Sequence, residues 1–510
     1  MTANLGAHIR AEHPSVGDYI ASVLSAEQRA NVLLSSFNHW DFAQGALADI
    51  ALSLRSIGSE VTLAFWSGLT PLHDVGWTTS RRISRILASP GRDLRVRKGL
   101  ISQGMSEEAF ANPPVKHWRP TESVKLPEVL NRTNIRAMQY RGTSVGRAIL
   151  QVHPDRETPV TDDFFWPKKW VEATARSYAY VYDQTLELID SRKITALIVY
   201  NGRFLHDRAA AAAAETRGLP VLNYDMGGSH TDFDLTIDAT HDWDALQKRM
   251  LSMYDSWPEN ERDELGSSWF LERINHEDPA NALFVDAQKK GVEIQLPPAE
   301  CTVVYFSSSG DEIAELELDW DAYFAGQNNA LKVLADECRK RPGYSLVVRS
   351  HPHKRMKPKQ DVEEWLEAVD YAQPNLHLDP FSEADSYELM RQADIVVTYG
   401  STTGVEAAFA KRPVIVMGPC AYDKLGCATG VATVEELGIA LENLEPGWWP
   451  GAVSYGLMMK RRGFTYEFVE KNDHGMRSLG GIEFSEANKL TLDLSHLENK
   501  FTRWRLTRNK

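Results

Sequence analysis

Short apolar runs alternate with longer stretches of helical periodicity along most of the chain, and that alternation predicts an α/β protein. NVLLSSF (31–37) reads as a buried strand and NHWD (38–41) as its loop. Residues 42–57 read as a helix with Ala46, Ile50, Leu54 and Ile57 on its apolar face. Gly58 stops that helix, and VTLAFW (61–66) is the next strand, completing one β-α-β unit. Prolines and mixed polarity over 67–170 predict short helices and loops. A helix follows over about 171–190, then the strand ITALIVY (194–200) and an alanine-rich helix through Ala214, ended by Gly218. PVLNY (220–224) is another strand, leading into the loop DMGGSH (225–230). Polar, proline-bearing sequence over 257–300 breaks the pattern and predicts a domain boundary.

A second series starts at TVVYFSSS (302–309), with a helix over about 321–340, the strand YSLVVRS (344–350), a helix near 359–369 and the strand NLHLD (375–379). SYELMRQA (386–393) reads as a helix, DIVVTY (394–399) as a strand, TGVEAAFAKR (403–412) as a helix and PVIVMG (413–418) as a strand, before a helix near 433–441. This is the doubly wound, Rossmann-like pattern again. The expected organisation is a first domain over 1–295 with an irregular insertion at about 67–170, a second over 296–450, and a C-terminal extension over 451–510 that ends in a basic tail.

The chain has 510 residues, 25% of them charged, and 56 Lys+Arg against 70 Asp+Glu give a net charge of −14. That balance argues against a nucleic-acid binder, which needs a basic footprint. No run of 18 apolar residues predicts a membrane-spanning helix, and the first residues lack the apolar core of a signal peptide. The four cysteines, Cys301, Cys338, Cys420 and Cys427, are too few for a disulfide framework and suit reduced thiols. A cytoplasmic protein is expected.

In open parallel sheets ligands bind beyond the carboxyl ends of the strands. In the second domain those ends carry Ser307–Ser308–Ser309–Gly310, His351–Pro352 and Gly400–Ser401–Thr402–Thr403–Gly404. Hydroxyls, backbone N–H groups at a helix start and one imidazole suit a phosphate. No P-loop and no G-x-G-x-x-G follows a strand, so standard nucleotide-triphosphatase and dinucleotide readings lose ground. Thr403-x-x-Glu406 and Ser309-x-x-Glu312 also spell capping boxes, and the structural and ligand roles both remain open. Asp319–Trp320–Asp321 has the letters of a metal-binding D-x-D and reads as a helix start; no metal site is expected, and no cofactor.

VVRSHPH (347–353) and SYELMRQADIVVTYGSTTGVEAAFAKRPVIVMG (386–418) with Tyr422 resemble bacterial capsule-polysaccharide biosynthesis glycosyltransferases. That superfamily includes Kdo-transferring and polysialic-acid-forming enzymes and, more distantly, teichoic-acid glycerophosphotransferases. The resemblance implies a GT-B fold, two Rossmann-like domains facing across a cleft. It also implies an inverting, metal-independent transfer of sugar from a nucleotide donor, CMP-Kdo being one candidate, to a surface polysaccharide or glycolipid. His351, Ser401 and Thr402 would contact the donor phosphates, Ser308 and Ser309 would flank them, and Glu406 would accept from a ribose hydroxyl.

YNGRFLHDRAAAAAAETRGLPVLNYDMGG (200–228) resembles the family's first domain, with Asp225–Met–Gly–Gly where a glutamate or paired acid is more usual. Asn201 and Arg203 would then face the acceptor. Transfer needs a base for the acceptor hydroxyl, and Asp225 is the candidate, with Asp41 in reserve or as a helix N-cap. Gly227 and Gly228 would let the backbone bring Asp225 close to a bulky acceptor. The basic stretch 81–98 could draw an anionic acceptor, and the tail 500–510, basic with interleaved aromatics, could rest on the inner face of the membrane. The rival readings are a nucleotide-sugar epimerase, a CDP-glycerol-type glycerophosphotransferase, and a nucleotide- or glycan-binding module without chemistry.

Overall fold

The computed structural model describes residues 15–24, 30–36, 41–66, 93–111, 120, 122–151, 164–239, 241–278, 285, 288–292, 294–309, 323–443, 445–471 and 476–484. The chain divides into two compact units: Met1–Asp155, Phe165–Thr240 and Gly463–Lys510 in the first, Arg156–Phe164 and His241–Arg462 in the second. The break between the units falls at 240/241, where the sequence reading set the domain boundary at 295/296, and the described residues between 463 and 484 pack with the first unit.

In the first unit the strands are Asn31–Ser36 (β1), Glu60–Phe65 (β2), Phe110–Ala111 (β3), Ala196–Tyr200 (β4), Val221–Met226 (β5) and Asp232–Thr236 (β6), in the order β3-β2-β1-β4-β5-β6. All neighbours pair in parallel except β5 and β6. The central strands are apolar throughout because helices cover both faces of a parallel sheet. Helix Asp41–Ser56 is buried over most of its length, with Ala46, Leu47, Ile50 and Leu54 wholly shielded. The sequence reading missed β6. It also placed Asp225 in a loop, whereas Asp225 is the fifth residue of β5 and pairs in register with Asp234.

The second unit carries Cys301–Phe306 (β7), Tyr344–Arg349 (β8), Leu376–Leu378 (β9), Ile395–Thr398 (β10), Val414–Val416 (β11) and Thr429–Gly430 (β12). Their order is β9-β8-β7-β10-β11-β12, all parallel. In order of appearance this is 3-2-1-4-5-6, the dinucleotide-fold order, and the first unit repeats it with its last strand reversed. Two α/β units of this kind make the fold GT-B-like. The order reverses between β7 and β10, so a crevice is expected beyond their carboxyl ends.

The polar stretch 257–300, read as a domain boundary, contains helix Glu259–Ile274, which helix Trp243–Ser256 precedes, and the mixed sequence after 446 contains helix Trp449–Arg461. Small residues explain the packing of the last two. A Cβ on Gly266 would lie 2.4 Å from the Val453 carbonyl oxygen, and one on Gly456 would lie 2.2 Å from the Gly266 oxygen. The backbones touch there, and Phe270 stacks on Phe409 at 4.3 Å between ring centroids.

The returning segment adds Phe464–Thr465 (β13) antiparallel to the free side of β6. It continues as a small antiparallel sheet of Glu470–Lys471 (β14), Arg477–Leu479 (β15) and Ile482–Glu483 (β16). Among the described residues no helix is long and apolar enough to cross a membrane. The four cysteines are buried and unbridged. The segment 81–92, the Asp319–Asp321 triplet, Glu312 and the tail 500–510 lie outside the described residues.

Candidate functional site

Three strand ends of the second unit converge on one pocket of about 90 Å³. Ser307 enters it after β7, His351 after β8, and Ser401 and Thr402 after β10. Glu406, Arg273 and Arg349 complete its charged lining. It lies at the switch point that the strand order defines.

The His351 ring is set by local backbone. Pro352 starts a short 3₁₀ turn, Pro352–Met356, with His351 at its N-cap. The His353 N–H donates to His351 Nδ1 at 3.2 Å. An imidazole whose Nδ1 accepts carries its proton on Nε2 when neutral, so Nε2 is a donor. The His351 N–H in turn donates to Ser307 Oγ at 2.7 Å, tying the β7 and β8 ends together.

Ser307 thus faces the site, and Ser308 does not. The buried Ser308 donates from Oγ to the Tyr399 carbonyl at 2.8 Å, and its N–H donates to Gln327 Oε1. It pins the β7 end to the β10 end, so its expected contact with phosphate is corrected to a structural role. Ser309 is half-buried and does not line the pocket. Neighbouring residues of extended chain point to opposite sides, which is why a one-residue offset changes the role.

The loop after β10 is largely bonded to itself. The Ser401 N–H donates to Thr398 Oγ1 (3.0 Å), the Thr403 N–H to Ser401 Oγ (3.3 Å) and the Gly404 N–H to the Ser401 oxygen (3.0 Å). Tyr422 donates its hydroxyl to the Ser401 carbonyl. Gly404 is required there, since a Cβ would lie 2.2 Å from that hydroxyl. Thr402 stands at the N-cap of helix Thr403–Phe409 without a side-chain cap bond.

The capping-box reading of Thr403 and Glu406 is overturned. Glu406 accepts from Arg273 Nε at 2.6 Å and bonds to Tyr387. Burial pushes its carboxyl up, and Arg273 opposes that shift. Arg273 also pairs with Asp278 at 3.1 Å and lies over the Trp269 ring, 4.5 Å from its centroid. A carboxylate has about four acceptor positions, so Glu406 can still take a ligand hydroxyl. Sequence reasoning missed Arg273 because its helix lies in the stretch read as a domain boundary.

In the first unit Asn201 is buried in the left-handed region, φ +57, just after β4. Its Nδ2 donates to Asp225 Oδ2, the Tyr200 hydroxyl donates to Oδ1 at 3.2 Å, and the Met226 N–H donates to Oδ1 at 2.7 Å. Burial and the Asp225 charge push the Tyr200 phenol up, so it remains a donor. Asn201 therefore holds the Asp225 carboxylate in place. Arg203 lies over the Phe204 ring at 4.9 Å from its centroid. Gly227 serves the β5–β6 hairpin: a Cβ there would meet Asp232 at 2.6 Å. Asp41 opens helix Asp41–Ser56 and pairs with Arg477 Nη1 at 3.0 Å, so its carboxylate is committed to the returning segment.

A sequence profile of the family described as Capsule polysaccharide biosynthesis protein matches residues 318–434. Those residues carry the capsule-synthesis signature. They include the loops of His351 and Ser401 and the whole helix of Glu406, and the resemblance read from 347–353 and 386–418 is borne out there. No curated protein matches the chain. Solved structures are similar at low identity. The Thermosulfurimonas dismutans KpsC beta Kdo 2,4 transferase is 16% identical over 52% of this chain and 87% of its own, with a TM-score of 0.32. The UDP-GlcNAc 2-epimerase from Neisseria meningitidis is 11% identical over 86% and 96%, with a TM-score of 0.27. The spinosyn rhamnosyltransferase SpnG is 12% identical over 85% and 97%, with a TM-score of 0.26.

Proposed function

We propose that this protein is a glycosyltransferase that moves a sugar from a nucleotide-sugar donor to a surface polysaccharide or glycolipid acceptor. The observation that carries the reading is the pocket at the β7/β10 switch point, where the His351 ring, two strand-end hydroxyls and Glu406 gather within the segment that matches capsule-synthesis proteins. The pocket is small beside the 300–1,000 Å³ or so of a typical ligand site, which suits the phosphate end of a donor. His351 donates from Nε2 to the phosphate that departs with the nucleotide, a contact that strengthens as charge develops. Glu406 accepts from a ribose hydroxyl.

Asp225 is the base. It takes the proton of the acceptor hydroxyl while that oxygen bonds to the anomeric carbon and the bond from that carbon to the phosphate oxygen breaks, the electron pair leaving with the nucleotide. A single displacement of this kind inverts the anomeric centre.

The test is transfer of radiolabelled sugar from a panel of CMP-, UDP- and CDP-linked donors to capsular oligosaccharide. The expected result is acceptor-dependent transfer that falls by roughly 10²–10⁴ in Asp225→Asn, with donor affinity by calorimetry unchanged. Donor conversion that proceeds equally without acceptor would favour an epimerase instead.

A further inference from the structure

Arg349 is 2% exposed at the end of β8, and it lines the pocket. Its Nη1 donates to the Asp379 carbonyl at 2.8 Å and its Nη2 to the Ser382 carbonyl at 3.2 Å. Those acceptors are neutral. Among the described residues no carboxylate forms an ion pair with it, and its buried Nε makes no hydrogen bond. A guanidinium has five N–H donors in a fixed fork, so most of this one is unused. Burial pulls its pKa down to about 10, with Asp379 opposing that and Arg355 adding to it.

A buried charge in a native protein is ordinarily paired, because desolvating it alone is costly. The other arginine of the pocket obeys that rule: Arg273 is matched by Glu406 and Asp278. Arg349 is the described lining arginine whose charge is left over. The loop after β10 carries no charge to match an anion, and its Ser401, Thr403 and Gly404 N–H groups are already donated.

We propose that Arg349 is the anion-binding residue of this pocket, holding a phosphate oxyanion through its unused N–H groups beside the His351 ring. The inference rests on the donor reading for the identity of the phosphate, a nucleotide's rather than a free one. The planar fork fits two oxygens of one phosphate, which a lysine at the same place could not do.

The test uses the full chain and measures binding of inorganic phosphate, CMP, UDP and uncharged cytidine by calorimetry. Wild type is expected to bind phosphate and at least one nucleotide. Arg349→Gln should weaken both by tenfold or more, with cytidine affinity unchanged, and Arg349→Lys should fall between. If a folded Arg349→Gln protein binds phosphate and nucleotide as wild type does, the assignment to Arg349 fails while the donor reading stands. Phosphate binding that depends on Arg349, with no nucleotide bound, would leave Arg349 in place and overturn the donor reading. No binding of either overturns both. Should the variants not fold, wild-type crystals soaked in phosphate decide the matter: density within hydrogen-bond distance of Arg349 supports the assignment, and occupancy elsewhere alone refutes it.

Discussion

A single imidazole and a single ion pair make separable predictions in the pocket. His351→Ala removes a donor aimed at the leaving phosphate, so kcat should fall by roughly a hundredfold, the scale of one lost transition-state hydrogen bond, with the fold intact. Unchanged turnover in a folded variant would remove His351 from the chemistry. Glu406 behaves differently, because it also neutralises Arg273. Glu406→Ala leaves a buried guanidinium short of its partner and should cost about 3–5 kcal/mol of stability. Glu406→Gln keeps the shape and an acceptor oxygen, and should mainly raise the donor KM; a melting temperature that is unmoved in Glu406→Ala would mean the pair is not structurally important. That His351, Ser401 and Glu406 line one pocket was legible in the sequence, because they follow strands or open a helix. Ser307 was displaced by one residue onto Ser308, since a run of three serines does not show which side each faces. Arg349 was hidden for another reason: within VVRS it reads as an ordinary strand end, and only its burial without a carboxylate reveals it.

At the level of elements, the returning segment is fixed by one buried carboxylate. Asp49 is wholly shielded within helix Asp41–Ser56, and Oδ1 accepts the N–H groups of Glu467 (3.0 Å), Phe468 (2.7 Å) and Val469 (3.0 Å). Burial raises its pKa from 3.8 to about 6, although those three N–H groups pull it down. The folded state therefore binds this proton more readily than the unfolded state. The Asp49 contribution to stability is full below pH 3.8 and is lost as pH rises through about 6. Moving from 3.8 to about 6 corresponds to on the order of 3 kcal/mol. Asp49→Asn keeps one oxygen where Oδ1 sits and cannot ionise. Its melting temperature relative to wild type should rise between pH 4 and pH 7, by about that energy at the top of the range. A difference that stays constant with pH would show that no buried charge is involved. The helix itself was plain from its apolar spacing, but its partner was not, because 418 residues separate Asp49 from Glu467. The same limit explains helix Glu259–Ile274: its buried residues Gly266, Trp269 and Phe270 are too few to give an apolar stripe, and their packing surface lies far along the chain.

On the scale of the molecule, the first unit is discontinuous, and this makes it depend on the described residues after 462. Phe464, Val469, Leu479 and Phe484 are buried in the core that also holds Val32, Leu34 and Ile198. Shielding each such side chain contributes roughly 1.5–3 kcal/mol, so the four together approach the 5–15 kcal/mol or so by which a whole domain is stable. Removing them would also expose the free side of β6, leave Asp49 without the backbone N–H groups of 467–469, and take Arg477 from Asp41. The second unit has no such debt, since its core draws on residues between 243 and 441. A chain ended after Arg462 should therefore lose the calorimetric transition of the first unit and keep that of the second. It should still bind donor nucleotide, because every described residue lining the pocket lies between 273 and 406, and it should transfer no sugar, because Asp225 belongs to the unit that is lost. Two transitions as in the full chain would show that the first unit folds without its returning strand. Lost nucleotide binding with the second transition intact would move the donor site out of this pocket.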